Sequence, residues 1–426
     1  MKGKYLPLSL ILFLHIIAWF DLKPIWPNSD DFNYTLEALK LMNGHFHLSP
    51  SEFQIRMGVY VPVTILSWLM GLSPYTISLW PLLVSLLGIS GTYLIVRKYA
   101  GDSIATISSA LIAINILQIT FSAALYPDIM IACYGNLLVL IVFHGRTKER
   151  YIYPILSCVL VILAFLTKEA IVFVYPFLAF ISISDLIHNR NRWFWKKIFL
   201  CGICSSIMVF TFYYLLTGDV LYRLKTSYGF AKEGIIFGDV EQKIKSLYSS
   251  NLFIWLLKQP GFIFIILFSL PALFTIKNKP NDFKQYLTIY SLFLLVQFGV
   301  LFFLPKYGVI FMQERNWLLI IIPLSILTAY FINEPEKKWI YIIAALLLIL
   351  IPINYLIVDT KRALLYALFL IPLLLILLKP ELKKALLLPF FILAIYFLWT
   401  NTNYKAINAN TTPTLIIKGD TLVEKR

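Results

Sequence analysis

Apolar runs of about 17–25 residues recur along the whole chain, and the short segments between them carry most of its charge. In hydrocarbon every backbone amide must find its partner within the chain, so runs of this length read as spanning helices. Barrel strands would be about 9–11 residues long and would alternate apolar and polar positions. The expected class is therefore all-α, a polytopic membrane bundle. Composition agrees: 59% of residues are hydrophobic, against about 45–50% in an ordinary soluble domain, and the mean hydropathy is +0.78. The first run, residues 5–20, is followed by Asp21-Leu22-Lys23-Pro24 rather than by a small-residue cleavage site, and is read as a retained anchor.

The formal net charge of +15 would suggest nucleic acid in a soluble protein. Here Arg97-Lys98 and the basic segments 146–150, 190–197, 277–284, 337–338 and 379–384 recur at intervals of two runs, as cytoplasmic loops do, so nucleic-acid binding is not expected. With Lys2 and Lys4 inside, the spans are 5–20, 75–96, 103–122, 128–144, 151–167, 169–184, 198–216, 253–276, 286–304, 316–333, 339–358, 363–378 and 385–400, about thirteen in all. Counting the apolar segment 57–72 as a further span would invert every later loop. It is short, holds Pro62 and Gly71, and is read as an interfacial helix on the outer surface.

Three parts follow from this layout: a catalytic membrane module over 1–335 with a long outer loop at 21–74, additional spans over 336–400, and a polar outer tail at 401–426. Another outer segment, 217–252, holds an amphipathic stretch near 240–247. The chain has no soluble domain, so any activity belongs to the bundle and its outer loops. Cys133, Cys158, Cys201 and Cys204 fall inside spans; Cys201 and Cys204 have CxxC spacing but no nearby His or acid, and read as inert packing.

A charged residue within or at the head of a span costs about 2.5–3.5 kcal/mol on insertion scales, so the few that occur call for a reason. Asp30 and Asp31 lie just after the first span, in Asn-Ser-Asp-Asp-Phe-Asn-Tyr ending at Tyr34. Adjacent carboxylates repel, which favours proton uptake by one of them; the plainer reading is a helix cap. Asp128 follows Tyr126-Pro127 at an outer helix head, where it too could be a cap. Lys168-Glu169 forms a near-zero-length outer turn, Arg315 opens a span from outside with Glu314 beside it, and Arg56 precedes the interfacial helix. Singly, each has a structural explanation: capping, snorkelling, or a salt bridge such as Lys168 with Glu169. Together they converge on one leaflet. Acids and cations there suggest a cleft that holds a lipid-borne phosphate beside a working carboxylate.

This order of motifs resembles the GT-C superfamily of polyprenyl-phosphate-sugar-dependent glycosyltransferases, in particular the protein O-mannosyltransferase and lipid A aminoarabinose transferase type. Asp30-Asp31-Phe-Asn-Tyr34 stands where those enzymes carry an outer Asp-Glu motif with a following Tyr, Asp replacing Glu. Segment 59–71, with Tyr60 and Pro62, is similar to their juxtamembrane helix, and Arg97-Lys98 followed by Gly101 to the end of their next span. Asp128 matches their second acid, Leu166-Thr167-Lys168-Glu169-Ala170 their Leu-Thr-Lys-Gly-Pro turn, and Arg315-Asn316 a later Arg-Tyr. Glu-Ala for Gly-Pro and Asn for Tyr are departures.

The resemblance covers roughly 1–335 and implies an inverting glycosyltransferase active on the extracytoplasmic face of the cell membrane. It would take a polyprenyl-phosphate-linked sugar and an acceptor hydroxyl on a glycan, lipid or protein. Asp30 is the expected base, with Asp31 and Asp128 as further catalytic carboxylates, and Lys168, Arg315 and Arg56 as phosphate ligands. Tyr34, Tyr60, Tyr126 and Glu169 are the expected substrate contacts. Some members of the superfamily use a divalent metal ion, for which Asp30 and Asp128 would be ligands here. Two rivals remain: a transporter or flippase of lipid-linked sugars, which predicts midplane charges and broken helices in repeated halves, and a surface-glycan polymerase or ligase with a similar phosphate site.

Overall fold

The structure is a computed structural model that describes residues 5–22, 30–227, 229, 260–274, 282–303, 314–333, 342, 343, 346, 414–418 and 421–425. The helices are α1 (Leu6–Asp21), α2 (Asp30–Met42), α3 (Glu52–Ile55), α4 (Met57–Met70), α5 (Pro74–Ala113), α6 (Ile116–Ser122), α7 (Pro127–Gly145), α8 (Ile152–Thr167), α9 (Tyr175–Ile187), α10 (Arg192–Thr217), α11 (Pro260–Phe274), α12 (Asp282–Phe303) and α13 (Leu318–Asn333). Short 3₁₀ turns at Glu169–Val174 and Glu314–Trp317 lead into α9 and α13. The protein is a multi-pass, helical membrane protein. Among the described residues, α5, α7, α10 and the segment Glu169–Ile187 are long and apolar enough to cross a bilayer, and five shorter apolar helices accompany them. The spans expected at 363–378 and 385–400, the amphipathic stretch near 240–247 and, apart from residues 342, 343 and 346, the span expected at 339–358 lie outside the described residues. In the tail, where only a polar segment was expected, β1 (Thr414–Lys418) and β2 (Thr421–Lys425) pair antiparallel, Lys418 opposite Thr421.

The expected span boundaries shift at three places. The spans 75–96 and 103–122 are two helices, as expected, but they run on to meet at a kink at Gly101, whose φ of 88° and ψ of 171° are non-helical and suit a residue without a Cβ. The second of them then breaks at Asn115, whose side-chain oxygen accepts the amides of Leu117 (3.0 Å) and Gln118 (3.4 Å) and so starts α6 as a new helix. The carbonyl of Ala113, left over at that break, takes a hydrogen bond of 2.7 Å from the His15 ring. The third shift is at α10, which begins at Arg192 rather than 198 and carries its first basic residues inside the helix.

Two compact units are interleaved along the chain, one of residues 1–15, 92–119 and 241–407, the other of 16–91, 120–240 and 408–426. In the first, α11, α12 and α13 pack together and Thr328 donates to the Ile265 carbonyl at 3.1 Å. In the second, α7 is the core, nearly every side chain buried, with α8 against it and α10 against α8. The outer face of α10 is apolar and open, with Phe199 71% and Leu215 77% exposed, as a surface bathed in lipid would be. Segment 57–72 forms the 14-residue α4, packed on α2 and on α8. An apolar cavity of about 740 Å³ runs between α7, α8, α9 and α10, lined by Leu138, Phe165, Tyr175, Trp195 and Gly202 among others.

Candidate active site

Chain breaks, rather than helix interiors, place most of the ionic groups. Arg56 ends α3 and starts α4 with φ −92° and ψ 55°, so it sits at the junction of the two helices. Lys168 is the single extended residue (φ −162°, ψ 147°) between α8 and the 3₁₀ turn. Asp128 stands second in α7, after Pro127, and the capping position belongs to Tyr126, which makes no side-chain cap bond. Asp128 is therefore not the cap it could have been.

Lys168 Nζ lies 2.5 Å from Asp128 Oδ1, with the carboxylate buried. The lysine thus pairs with Asp128, 40 residues away in sequence, and not with its neighbour Glu169. Glu169 instead sits between two arginines: its Oε2 is 3.4 Å from Arg56 Nη2, and its Oε1 accepts from Arg223 Nη2 at 3.0 Å and from Ser227 Oγ at 2.9 Å. Arg56 also donates to the Tyr34 hydroxyl at 2.9 Å and lies 3.3 Å from Glu52. Burial alone would lower the Arg56 guanidinium; the surrounding Tyr34, Glu169 and Glu52 outweigh it, so this arginine keeps its charge more firmly than usual. Burial pushes the Tyr34 phenol up, against the opposing pull of Arg56, with the charge of Asp128 adding to the rise.

The remaining expected residues are placed as follows. Asp30 opens α2 and is half-buried; Asp31, next to it, is buried, and its carboxylate accepts the Phe32 amide at 3.1 Å. Both acids lie in the first turn of α2, where the helix dipole favours negative charge. Tyr60 is fully buried and donates to the Gln54 carbonyl at 2.9 Å, which ties α3 to α4. Gln54 in turn donates to the buried Glu37 of α2 at 2.8 Å. Tyr126 is half-buried with its ring edge-on to Phe121, centroids 5.6 Å apart. Arg315 is half-buried in the 3₁₀ turn Glu314–Trp317 of the other unit. Among the described residues no group of three or more His, Cys, Asp or Glu could hold a metal ion.

One site residue escaped the reading of the sequence. Arg223 lies in the segment after α10, is 2% exposed, and donates to Glu169 at 3.0 Å. A signal for it exists: around the helical turn 222–227, Val220, Leu221 and Leu224 are exposed while Arg223 and Thr226 are buried, an apolar-out pattern that suits a segment lying at a membrane surface.

Residues 60–214 match the family described as dolichyl-phosphate-mannose-protein mannosyltransferase. No curated protein matches the sequence. Among solved structures, the chain resembles ArnT from Cupriavidus metallidurans in the apo state (TM-score 0.57, 14% identity, 92% of this chain and 74% of that one). ArnT from the same organism bound to undecaprenyl phosphate gives a TM-score of 0.54 at 14% identity, over 96% and 81% of the two chains. The archaeal oligosaccharyltransferase AglB from Archaeoglobus fulgidus, in complex with an inhibitory peptide and a dolichol-phosphate, gives 0.51 at 13% identity, over 92% and 56%. The chain thus has the polytopic fold of the GT-C glycosyltransferases whose outer motifs it resembles, and over residues 60–214 it is similar in sequence to the protein mannosyltransferases among them.

Proposed function

We propose that the protein is an inverting glycosyltransferase that moves a sugar from a polyprenyl-phosphate donor to an acceptor hydroxyl at the extracytoplasmic face. The observation that carries this reading is the ionic cluster of Arg56, Tyr34, Glu169, Lys168 and Asp128, drawn from four separate segments to the ends of apolar helices. Cations at that depth suit a phosphate carried by a membrane lipid, and the apolar cavity between α7 and α10 offers room for its chain. The similarity to the mannosyltransferase family supports the same donor class.

In this scheme Asp30 takes the proton of the acceptor hydroxyl as its oxygen attacks the anomeric carbon from the face opposite the phosphate. The bond from that carbon to the phosphate oxygen breaks, and the lipid phosphate leaves with the electron pair. Arg56 meets the growing phosphate charge most directly, because its charge is held by three neighbours. Lys168 contributes from its pair with Asp128. Asp31 keeps the start of α2 in place, and Tyr34, Tyr126 and Glu169 frame the sugar and acceptor, with Tyr60 holding the frame from inside.

The test is transfer and lipid flipping measured separately on the purified Asp30→Asn variant. Loss of a general base should lower transfer by about 10²–10⁴ while leaving any flipping as it was. Transfer within about threefold of wild type for Asp30→Asn, together with its loss in Asp31→Asn, would move the base to the neighbour. Flipping without transfer in the wild type would favour the transporter reading.

A further inference from the structure

Arg223 is the most deeply buried cation of the second unit, and it makes more bonds than a salt bridge to Glu169 requires. Its Nη1 donates to the carbonyl of Ile55, and its Nη2 donates to the carbonyl of Phe165 as well as to Glu169. Its guanidinium also lies over the Phe165 ring, 4.7 Å from the centroid. Ile55 is the residue before Arg56, and Phe165 ends the helical turn that leads to Lys168. A single planar group therefore holds the backbone beside Arg56 and three residues before Lys168. Tyr213 adds to one side of this arrangement, donating to the same Ile55 carbonyl at 3.0 Å.

From this geometry we propose that Arg223 is a positioning residue that fixes the spacing between Arg56 and Lys168, and thereby the fit of the site to a phosphate, without touching the phosphate itself. The proposal rests on the reading of Arg56 and Lys168 as donor ligands given above. Lysine cannot replace arginine here: its one ammonium on a flexible stem keeps the charge but cannot reach two carbonyls and a carboxylate in one plane. Glu169 has a part in the same device, because it passes the position of Arg223 on to the Arg56 head group through its second oxygen.

The experiment uses the full chain in nanodiscs, with undecaprenyl phosphate as the binding probe and amide hydrogen exchange as a readout free of ligand. Wild type, Arg56→Ala, Arg223→Lys and Asp185→Asn are compared. Asp185 is the control for lost stability, since it accepts from Arg146, Asn191 and Trp195 in a buried cluster on other segments of the same unit. Arg223→Lys is expected to weaken probe binding roughly 10–100-fold, the range typical when a supporting partner of a ligand is lost. It should also speed exchange at 55–58 and 165–169 while leaving α7 protected. Asp185→Asn should lower thermal stability with probe binding unchanged.

The proposal is overturned if Arg223→Lys binds the probe as wild type does, or if Arg223→Lys and Asp185→Asn lose binding in the same proportion to their lost stability. Wild type that fails to bind undecaprenyl phosphate would remove the donor reading, and the exchange data would then decide separately whether Arg223 holds the two segments. Unchanged protection at both segments overturns that as well.

Discussion

Gly58 is the point at which the two halves of the ionic cluster touch. It lies two residues after Arg56, and a Cβ added there would come within 2.5 Å of Thr167 Oγ1 and 3.0 Å of both the Leu166 carbonyl carbon and the Thr167 amide nitrogen. Thr167 cannot turn away cheaply, since it is buried and its hydroxyl is bonded to the Leu163 carbonyl at 2.7 Å. Two of the three contacts are backbone, so Gly58→Ala must push α4 off the end of α8. Overpacking of this kind costs about 1–3 kcal/mol, and displacing a reacting group by about 1 Å can cost about a hundredfold in rate. The expectation is a modest loss of thermal stability with a disproportionate loss of transfer.

Gly202→Ala in α10 is the paired control, because a Cβ there meets nothing within 4 Å. It should alter stability by no more than about 1 kcal/mol, the helix-propensity difference between glycine and alanine. Differential scanning fluorimetry and initial rates with a polyprenyl-phosphate sugar give both quantities. Gly58→Ala with wild-type rate and stability would refute the claim that α4 and α8 are in fixed register at the site.

Further outcomes follow from individual contacts. Lys168→Ala should destabilise the protein by about 2–5 kcal/mol, because it leaves the buried Asp128 carboxylate without its ammonium. Adding Asp128→Asn should recover part of that loss in a double-mutant cycle; simple additivity of the two would show that the pair is not coupled. Asn115→Ala should cost about 0.5–2 kcal/mol through the cap of α6, as read by thermal unfolding. For orientation, a cysteine at Ser73 should label from outside and one at Asp102 should not; the reverse pattern would invert the topology and move the site to the other face.

How much of this was legible in the sequence depends on the range of the interaction. Helix positions were, because hydrophobic run length is a local property: the expected 128–144 and 151–167 are met by Pro127–Gly145 and Ile152–Thr167. The break at Asn115 was not, since an asparagine within an apolar run gives no sign of whether its side chain will cap or face a neighbour. Lys168 is legible as an unusual residue, but its contact with Asp128 is not. Sequence proximity favoured Glu169, while the extended backbone at 168 turns the side chain back to Asp128. Arg223 was hidden because a lone arginine in a loop has no periodicity of its own, and only the inverted burial of its neighbours marks it.

Inversion at the anomeric carbon is the defining step of the proposed reaction, and the stereochemistry of the product reads it out. Purified protein in nanodiscs would be given polyprenyl-phosphate sugars of defined anomeric configuration with membrane extract as the source of acceptor, and the product linkage determined by NMR. Release of polyprenyl phosphate and a product of opposite anomeric configuration to the donor are expected, both lost in Asp30→Asn. A product that retains the donor's configuration, or full release of polyprenyl phosphate by the Asp30→Asn variant, would contradict the proposed reaction.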